Sequence, residues 1–109
     1  MSGKTQNIDR IDISKRNQVL ECIQVIEKNQ DVLKFIVFGS AASNKCNDDS
    51  DLDLCVVLKP DADKLSYHYT VAGIGRACGH HFDLLNYARL NDKFKNVIDN
   101  QGVVVYELS

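Results

Sequence analysis

Apolar positions along the chain fall into two spacings, which together predict seven secondary-structure elements. Short apolar runs rich in β-branched and aromatic residues, one of which begins with strict polar–apolar alternation, predict four strands at residues 32–38, 51–58, 81–87 and 103–106. Apolar residues at helical spacing predict three helices, at residues 14–29, 64–78 and 89–100. The order α-β-β-α-β-α-β predicts an α+β fold in which a mixed sheet of about four strands packs against helices.

Signals at the helix ends refine this pattern. Ser14 is placed to cap the first helix with its side-chain oxygen. Gly102 is placed to end the third helix, because glycine is common just beyond a helix C-terminus. The predicted inward face of that third helix consists of Leu90, Phe94, Val97 and Ile98.

The length of 109 residues predicts one small domain. Residues 1–12 are polar and predict an N-terminal lead outside the domain, which we place at residues 13–109. A domain of this size has little material for a deep pocket of its own. A partner protein or a second copy of the chain, as a homo-oligomer, could therefore complete a binding site.

The charges are balanced overall but acidic at one point. Thirteen Lys and Arg oppose fifteen Asp and Glu, and the cations are scattered along the chain. A protein that binds long nucleic acid usually shows a basic stripe, so this class of function is disfavoured. Four carboxylates fall between residues 48 and 53. A local cluster of carboxylates, in a chain without a basic surface stripe, predicts that the protein binds a cation and a small nucleotide.

The sequence shows neither a membrane span nor a signal peptide. No apolar stretch reaches the roughly 18 residues that a spanning helix needs, and the N-terminal residues lack an apolar core. We therefore expect a cytoplasmic protein. The four cysteines, Cys22, Cys46, Cys55 and Cys78, show no close pair, and we expect them to be reduced.

Three carboxylates are placed to meet at one end of the predicted sheet. In a strand, Asp51 and Asp53 point to one face while the leucines between and after them point to the other. Asp83 has the same outward position in the third strand, so it joins them if the two strands are neighbours. Carboxylates held this close repel one another, and a divalent cation removes the conflict. Hard oxygen ligands suit Mg²⁺ or Mn²⁺.

Gly39 and Ser40 follow directly on the first strand and supply a different chemistry. Glycine lets the backbone approach an anion closely, and the amides and hydroxyl at the start of a helical turn donate to phosphate. A triphosphate would fit between these donors and the metal-binding carboxylates.

Other interpretations of these polar residues are open or excluded. An acidic loop is often only a solvated turn. A calcium loop of the EF-hand type is excluded because, counting from Asp49, Leu54 holds the glycine position and Pro60 the glutamate position. His81 shares a face with Asp83, so it either lines the site or is a partly exposed polar residue at a strand start.

The segment VFGSAASNKCNDDSDLDLCVV resembles the signature of minimal nucleotidyltransferases of the DNA polymerase beta superfamily. That signature is an apolar strand, Gly-Ser, a loop and then Asp-x-Asp in the next strand. HFDLL resembles the strand that carries the family's third carboxylate, and NVIDNQGVVVYE resembles its C-terminal helix and strand. The resemblance covers about residues 15–107 and implies the nucleotidyltransferase fold.

The resemblance also implies roles for the residues that match the family motif. Gly39 and Ser40 would bind the nucleotide phosphates. Asp51 and Asp53 would ligate both metal ions, and Asp83 would complete the first metal site and serve as base or orienter for the acceptor hydroxyl. All three aspartates would thus be both catalytic and metal-binding.

The chain departs from the family pattern in the loop after Gly-Ser. Many relatives have an arginine near Ser43 and a glycine near Asn44. Asn44 can still adopt a left-handed turn, whereas Ser43 cannot neutralise phosphate. Lys45 is the cation that would substitute in nucleotide binding.

The resemblance implies transfer of AMP from ATP to a hydroxyl acceptor, with Mg²⁺ or Mn²⁺ as cofactor. Minimal members of the family commonly pair with an all-helical HEPN-domain protein as the antitoxin of a toxin–antitoxin module, and the acceptor could be a tyrosine of that toxin. The alternative is a non-catalytic antitoxin of the same fold that sequesters a partner protein. An aminoglycoside-modifying role is a weaker option, because the chain lacks the extra helical domain of larger relatives.

Overall fold

The computed structural model describes residues 3–42, 51–79 and 82–108. The described residues form five strands: β1 (Gly3–Thr5), β2 (Val32–Phe38), β3 (Leu52–Leu58), β4 (Phe82–Asn86) and β5 (Val103–Leu108). They also form three α-helices: α1 (Arg16–Ile26), α2 (Ser66–Cys78) and α3 (Asp92–Gln101). Short 3₁₀ turns span Ile8–Arg10, Ile13–Lys15, Gly39–Ala42 and Tyr87–Arg89. The seven predicted elements are all found, in the predicted order.

The strands form one mixed sheet in the order β1-β5-β2-β3-β4. In the described part of the chain, only the β3–β4 pair is parallel, and the other three pairs are antiparallel. The α+β prediction is confirmed, and the described sheet has five strands rather than about four. The parallel pair arises because α2 crosses over between β3 and β4, which returns the chain to the same end of the sheet.

The additional strand comes from the N-terminal residues, which pack onto the domain. Gly3–Thr5 pairs with β5, and Ile11 is fully buried. The prediction that Ser14 caps the first helix is wrong. Asp12 caps instead: its carboxylate accepts hydrogen bonds from the Ser14 amide at 3.0 Å and the Ser14 hydroxyl at 2.7 Å. The 3₁₀ turn begins there and α1 follows it.

Helices cover the two faces of the sheet unequally. On one face α1 and α2 pack together over the main core, to which Leu52, Leu54 and Leu84 contribute from β3 and β4. On the other face α3 covers a smaller core built on Ile36, Cys55 and Ile98. Among the described residues, no helix is long and apolar enough to cross a membrane.

The predicted inward face of α3 is only partly correct. Ile98 is 1% exposed, but Phe94 and Val97 are each 37% exposed. The reason is geometric, because a ten-residue helix crossing a twisted sheet contacts it mainly along one narrow line. Gly102 does end the helix, and its amide donates to the Ile98 carbonyl at 2.8 Å.

The prediction of four reduced cysteines is wrong for Cys22, which is disulfide-bonded. Cys22 is fully buried and belongs to the main core. Cys55 is a free thiol, also fully buried, beneath α3.

Candidate active site

Asp53 and Asp83 lie directly opposite each other in the parallel pairing of β3 with β4. Opposite residues of a ladder project to the same face, so both carboxylates lie on the face that α3 partly covers. Leu52 and Leu54 flank Asp53 and are fully buried on the other face, as the alternation of the sequence predicts. The strand order therefore brings together two carboxylates that are 30 positions apart in the chain.

The two carboxylates differ in their surroundings. Asp53 is half-buried within β3, whereas Asp83 is exposed. Burial raises the pKa of Asp53 above its ordinary value of 3.8, and the negative charges of Asp83 and Asp51 raise it further. A cation placed among these carboxylates would lower the pKa of Asp53 and so offset the rise that burial and the two neighbouring charges produce.

Asp51 immediately precedes β3 and is exposed. It is two residues from Asp53 and close enough to contribute to the rise in the Asp53 pKa. The charges of Asp51 and Asp53 therefore interact, whereas the joint role of the three aspartates as metal ligands stays a prediction.

Gly39 brings the backbone against Asp53. Its φ of +71° lies in the left-handed region, which glycine adopts without the strain that a side chain imposes. A methyl group at this position would overlap the Asp53 carboxylate. Glycine thus serves two purposes here, because it permits the sharp turn out of β2 and leaves room for Asp53.

Of the other residues predicted to bind the nucleotide, Ser40 is among the described residues and Lys45 is not. Ser40 is half-buried in the 3₁₀ turn Gly39–Ala42, directly beyond β2 and next to the carboxylates. Lys45 and the Ser43 position lie outside the described residues, as does His81. Their predicted roles remain predictions.

A metal ion would find few preassembled protein ligands in this arrangement. Among the described residues, no group of three or more histidine, cysteine, aspartate or glutamate side chains is arranged to hold a metal ion. Mg²⁺, however, is usually bound by one or two carboxylates together with substrate phosphates and water. The facing pair of Asp53 and Asp83 fits that mode, in which the nucleotide supplies the rest of the coordination.

Two neighbouring side chains escaped prediction from the sequence. Phe38 lies opposite Asp53 in the antiparallel β2–β3 pairing, and its ring meets that of Phe94 at 6.2 Å and 87°. The Tyr67 hydroxyl donates to the Leu84 carbonyl at 2.5 Å and ties α2 to β4 next to Asp83. Both contacts join distant parts of the chain, so no local spacing signals them.

Several solved structures are similar to this chain in fold. A candidate minimal nucleotidyltransferase has a TM-score of 0.68 at 17% identity, with 90% of this chain and 95% of that chain covered. A toxin–antitoxin complex with AMP-PNP gives 0.62 at 16% identity, with coverage of 82% and 70%. A tri-AMPylated HEPN toxin of Shewanella oneidensis in complex with its MNT antitoxin gives 0.56 at 17% identity, with coverage of 81% and 71%.

Among curated proteins, no sequence matches this chain significantly. The family model described as polymerase beta, nucleotidyltransferase, matches residues 20–109. The matched residues include the turn beyond β2, Asp51 with the β3 strand that follows it, and β4, and these together carry every described residue of the candidate site. The chain therefore belongs to the polymerase beta nucleotidyltransferase family.

Proposed function

We propose that the protein is a metal-dependent nucleotidyltransferase that transfers AMP from ATP to a hydroxyl acceptor and releases pyrophosphate. The observation that carries the proposal is the facing pair of Asp53 and Asp83, with the left-handed Gly39 held against Asp53. Family membership supports the reaction class, and the AMP-PNP in a structurally similar toxin–antitoxin complex supports the nucleotide.

The proposed roles follow from position and chemistry. Asp51 and Asp53 hold Mg²⁺ or Mn²⁺, with Asp83 completing the set from β4. Gly39 and Ser40 receive the phosphates at the turn beyond β2, and Lys45 supplies the positive charge. The bound metal would stabilise negative charge on the phosphates and on the leaving pyrophosphate.

The transfer balances as a single displacement at phosphorus. The acceptor oxygen forms a bond to the α-phosphorus of ATP, and the bond from that phosphorus to the bridging oxygen breaks. The electron pair leaves with pyrophosphate. Asp83 is exposed and can accept the proton of the acceptor hydroxyl on a carboxylate oxygen.

Labelled ATP tests the reaction directly. Label in the α-phosphate should appear on the acceptor in the presence of Mg²⁺, whereas label in the γ-phosphate should leave with pyrophosphate. Asp51→Asn and Asp53→Asn should each reduce transfer by about 100-fold or more, the scale of losing one preorganised electrostatic group. Asp61→Asn, at an exposed position beyond β3, serves as the control. Unchanged transfer in both site variants would contradict the mechanism.

The proposed acceptor is a tyrosine of a HEPN-domain partner. The support is the similar complex in which an MNT antitoxin accompanies a tri-AMPylated HEPN toxin. Purified HEPN protein should take up the α-label in a wild-type reaction. Replacing its acceptor tyrosine by phenylalanine should abolish the uptake, while an intact tyrosine that stays unlabelled would assign the acceptor elsewhere.

A non-catalytic antitoxin is the second candidate. One observation favours it, because Ser43 stands where many relatives have arginine, while the presence of all three aspartates opposes it. Calorimetric titration with ATP separates the two candidates. A transferase should bind ATP more tightly when Mg²⁺ is present, whereas a purely sequestering protein should show no metal-coupled uptake.

A further inference from the structure

Two phenylalanine rings lie on the β2 side of the carboxylate pair, on the face that α3 partly covers. Phe38 is opposite Asp53 in the β2–β3 ladder, so their side chains are neighbours on the same face. Phe94, on the first turn of α3, meets the Phe38 ring edge to face at 6.2 Å. The aromatic pair therefore extends outward from the carboxylates.

Phe94 is the outer member of the pair and remains open to a ligand. It is 37% exposed, and the perpendicular arrangement with Phe38 occupies at most one face of its ring. The Asn91 side chain caps α3 by accepting from the Phe94 amide at 2.7 Å, which fixes the backbone beneath the ring. The cap and the contact with Phe38 together fix the place of this ring at the start of α3.

The position of Phe94 relative to the carboxylates suits a nucleotide. Facing side chains of paired strands, such as Phe38 and Asp53, are about 5 Å apart at Cβ, and the ring centroids of Phe38 and Phe94 are 6.2 Å apart. Phe38 thus stands between the Phe94 ring and Asp53, so the ring lies one side chain away from the carboxylate. In a nucleoside triphosphate, the ribose likewise holds the base apart from the phosphates.

We propose that Phe94 is the platform on which the base of the nucleoside triphosphate stacks while its phosphates lie at Asp53 and Gly39. This inference rests on the proposed function and adds the base-binding side of the same site. Stacking requires only the π face of a base, so it would contribute affinity without strong selection among bases. Phe38 supports the Phe94 ring from behind and need not touch the nucleotide.

Binding measurements on the full chain with Mg²⁺ test the inference, with AMP-PNP and tripolyphosphate as probes. The second probe has the phosphates and lacks the base. Phe94→Ala should weaken AMP-PNP binding by about 5- to 150-fold, the range for losing one base–aromatic stack. Tripolyphosphate binding should stay unchanged. Phe94→Tyr should retain AMP-PNP affinity, whereas Phe94→Leu, which keeps apolar area but has no π face, should not.

Val97→Ala is the matched control, because Val97 lies on the same helix with the same 37% exposure. An equal loss in Val97→Ala and Phe94→Ala would indicate a general apolar contact face and overturn the stacking role. Unchanged AMP-PNP affinity in Phe94→Ala would overturn the stacking role and leave the proposed function standing. A wild-type chain that binds neither probe would overturn the proposed function itself, and the stacking role with it.

Discussion

Asp53 and Asp83 face each other across the parallel pairing of β3 with β4. A shift of the β3–β4 register by one residue would turn one carboxylate into the core and separate the pair. The register is fixed by the burial of leucines on the opposite face, at Leu52, Leu54 and Leu84. The same apolar residues that stabilise the core therefore position the site chemistry.

Because the ionised Asp53 is partly buried and repelled by Asp83 and Asp51, we expect that removing its charge stabilises the folded protein. Because its pKa is raised in the folded protein, the folded state favours the protonated carboxyl, and the ionised form opposes folding above that pKa. In metal-free buffer at pH 7, Asp53→Asn should therefore raise the free energy of unfolding, by less than about 1 kcal/mol because the group is half-exposed and screened by solvent. Urea unfolding of both proteins measures the difference.

The stability difference between Asp53→Asn and wild type should depend on pH. The advantage of Asp53→Asn should be present at neutral pH and shrink as the pH falls through the raised pKa, because the wild-type carboxyl then takes up its proton. Added Mg²⁺ should reverse the order by stabilising wild type alone. An advantage that persists unchanged to pH 3 would indicate a cause other than charge.

The sequence predicts the parts of the fold whose signals are local. Alternation at residues 51–54 correctly assigns the buried leucines and the outward aspartates, and the Gly39 turn follows from one strand end. β1 is a short polar segment without the alternation or apolar run that predicts a strand. It is a strand because it pairs with β5, about 100 positions away in the chain, and no local pattern indicates such a pairing. Periodicity places Phe94 on the apolar face of α3, but it does not show how far the neighbouring sheet extends beneath that face. Phe94 is therefore partly exposed, although the pattern predicts that it faces inward.

Gly39→Ala should damage the site more than the fold. Alanine would pay the strain of a left-handed φ, about 1–2 kcal/mol, and its methyl group would push the Asp53 carboxylate aside. Gly79→Ala is the control, because its φ is also positive, at +75°, but a methyl group there meets nothing within 4 Å. Chemical denaturation should show a stability loss for both variants, while only Gly39→Ala should lose nucleotide transfer. Equal transfer by the two variants would mean that Asp53 tolerates the displacement.

Tyr67→Phe should loosen the strand that carries Asp83. The Tyr67 hydroxyl is bonded to the Leu84 carbonyl, and burial raises the pKa of Tyr67, so the hydroxyl keeps its proton and donates. Losing this bond should lower the free energy of unfolding by about 1 kcal/mol. Hydrogen exchange at β4, which is an edge strand, should increase. Tyr69→Phe removes a hydroxyl from a residue that is 63% exposed and should change neither quantity.

Cys55 should report the opening of α3. Its thiol is fully buried beneath Ile98, and burial together with the charge of Asp99 raises the pKa of Cys55 to about 12. Since the thiolate is the reactive form, iodoacetamide at pH 8 should modify Cys55 only when α3 lifts away from the sheet. Ile98→Ala removes packing worth about 2–5 kcal/mol and should accelerate modification at least about tenfold.

Val97→Ala provides the comparison for the Cys55 measurement, because Val97 lies beside Ile98 in the chain but on the exposed side of α3. Its modification rate should match wild type. Mass spectrometry of the Cys55 peptide distinguishes this thiol from the other cysteines. Rapid modification of Cys55 in native wild-type protein would show that α3 does not seal this face, and the ring of Phe94 would then lack the fixed support that nucleotide stacking requires.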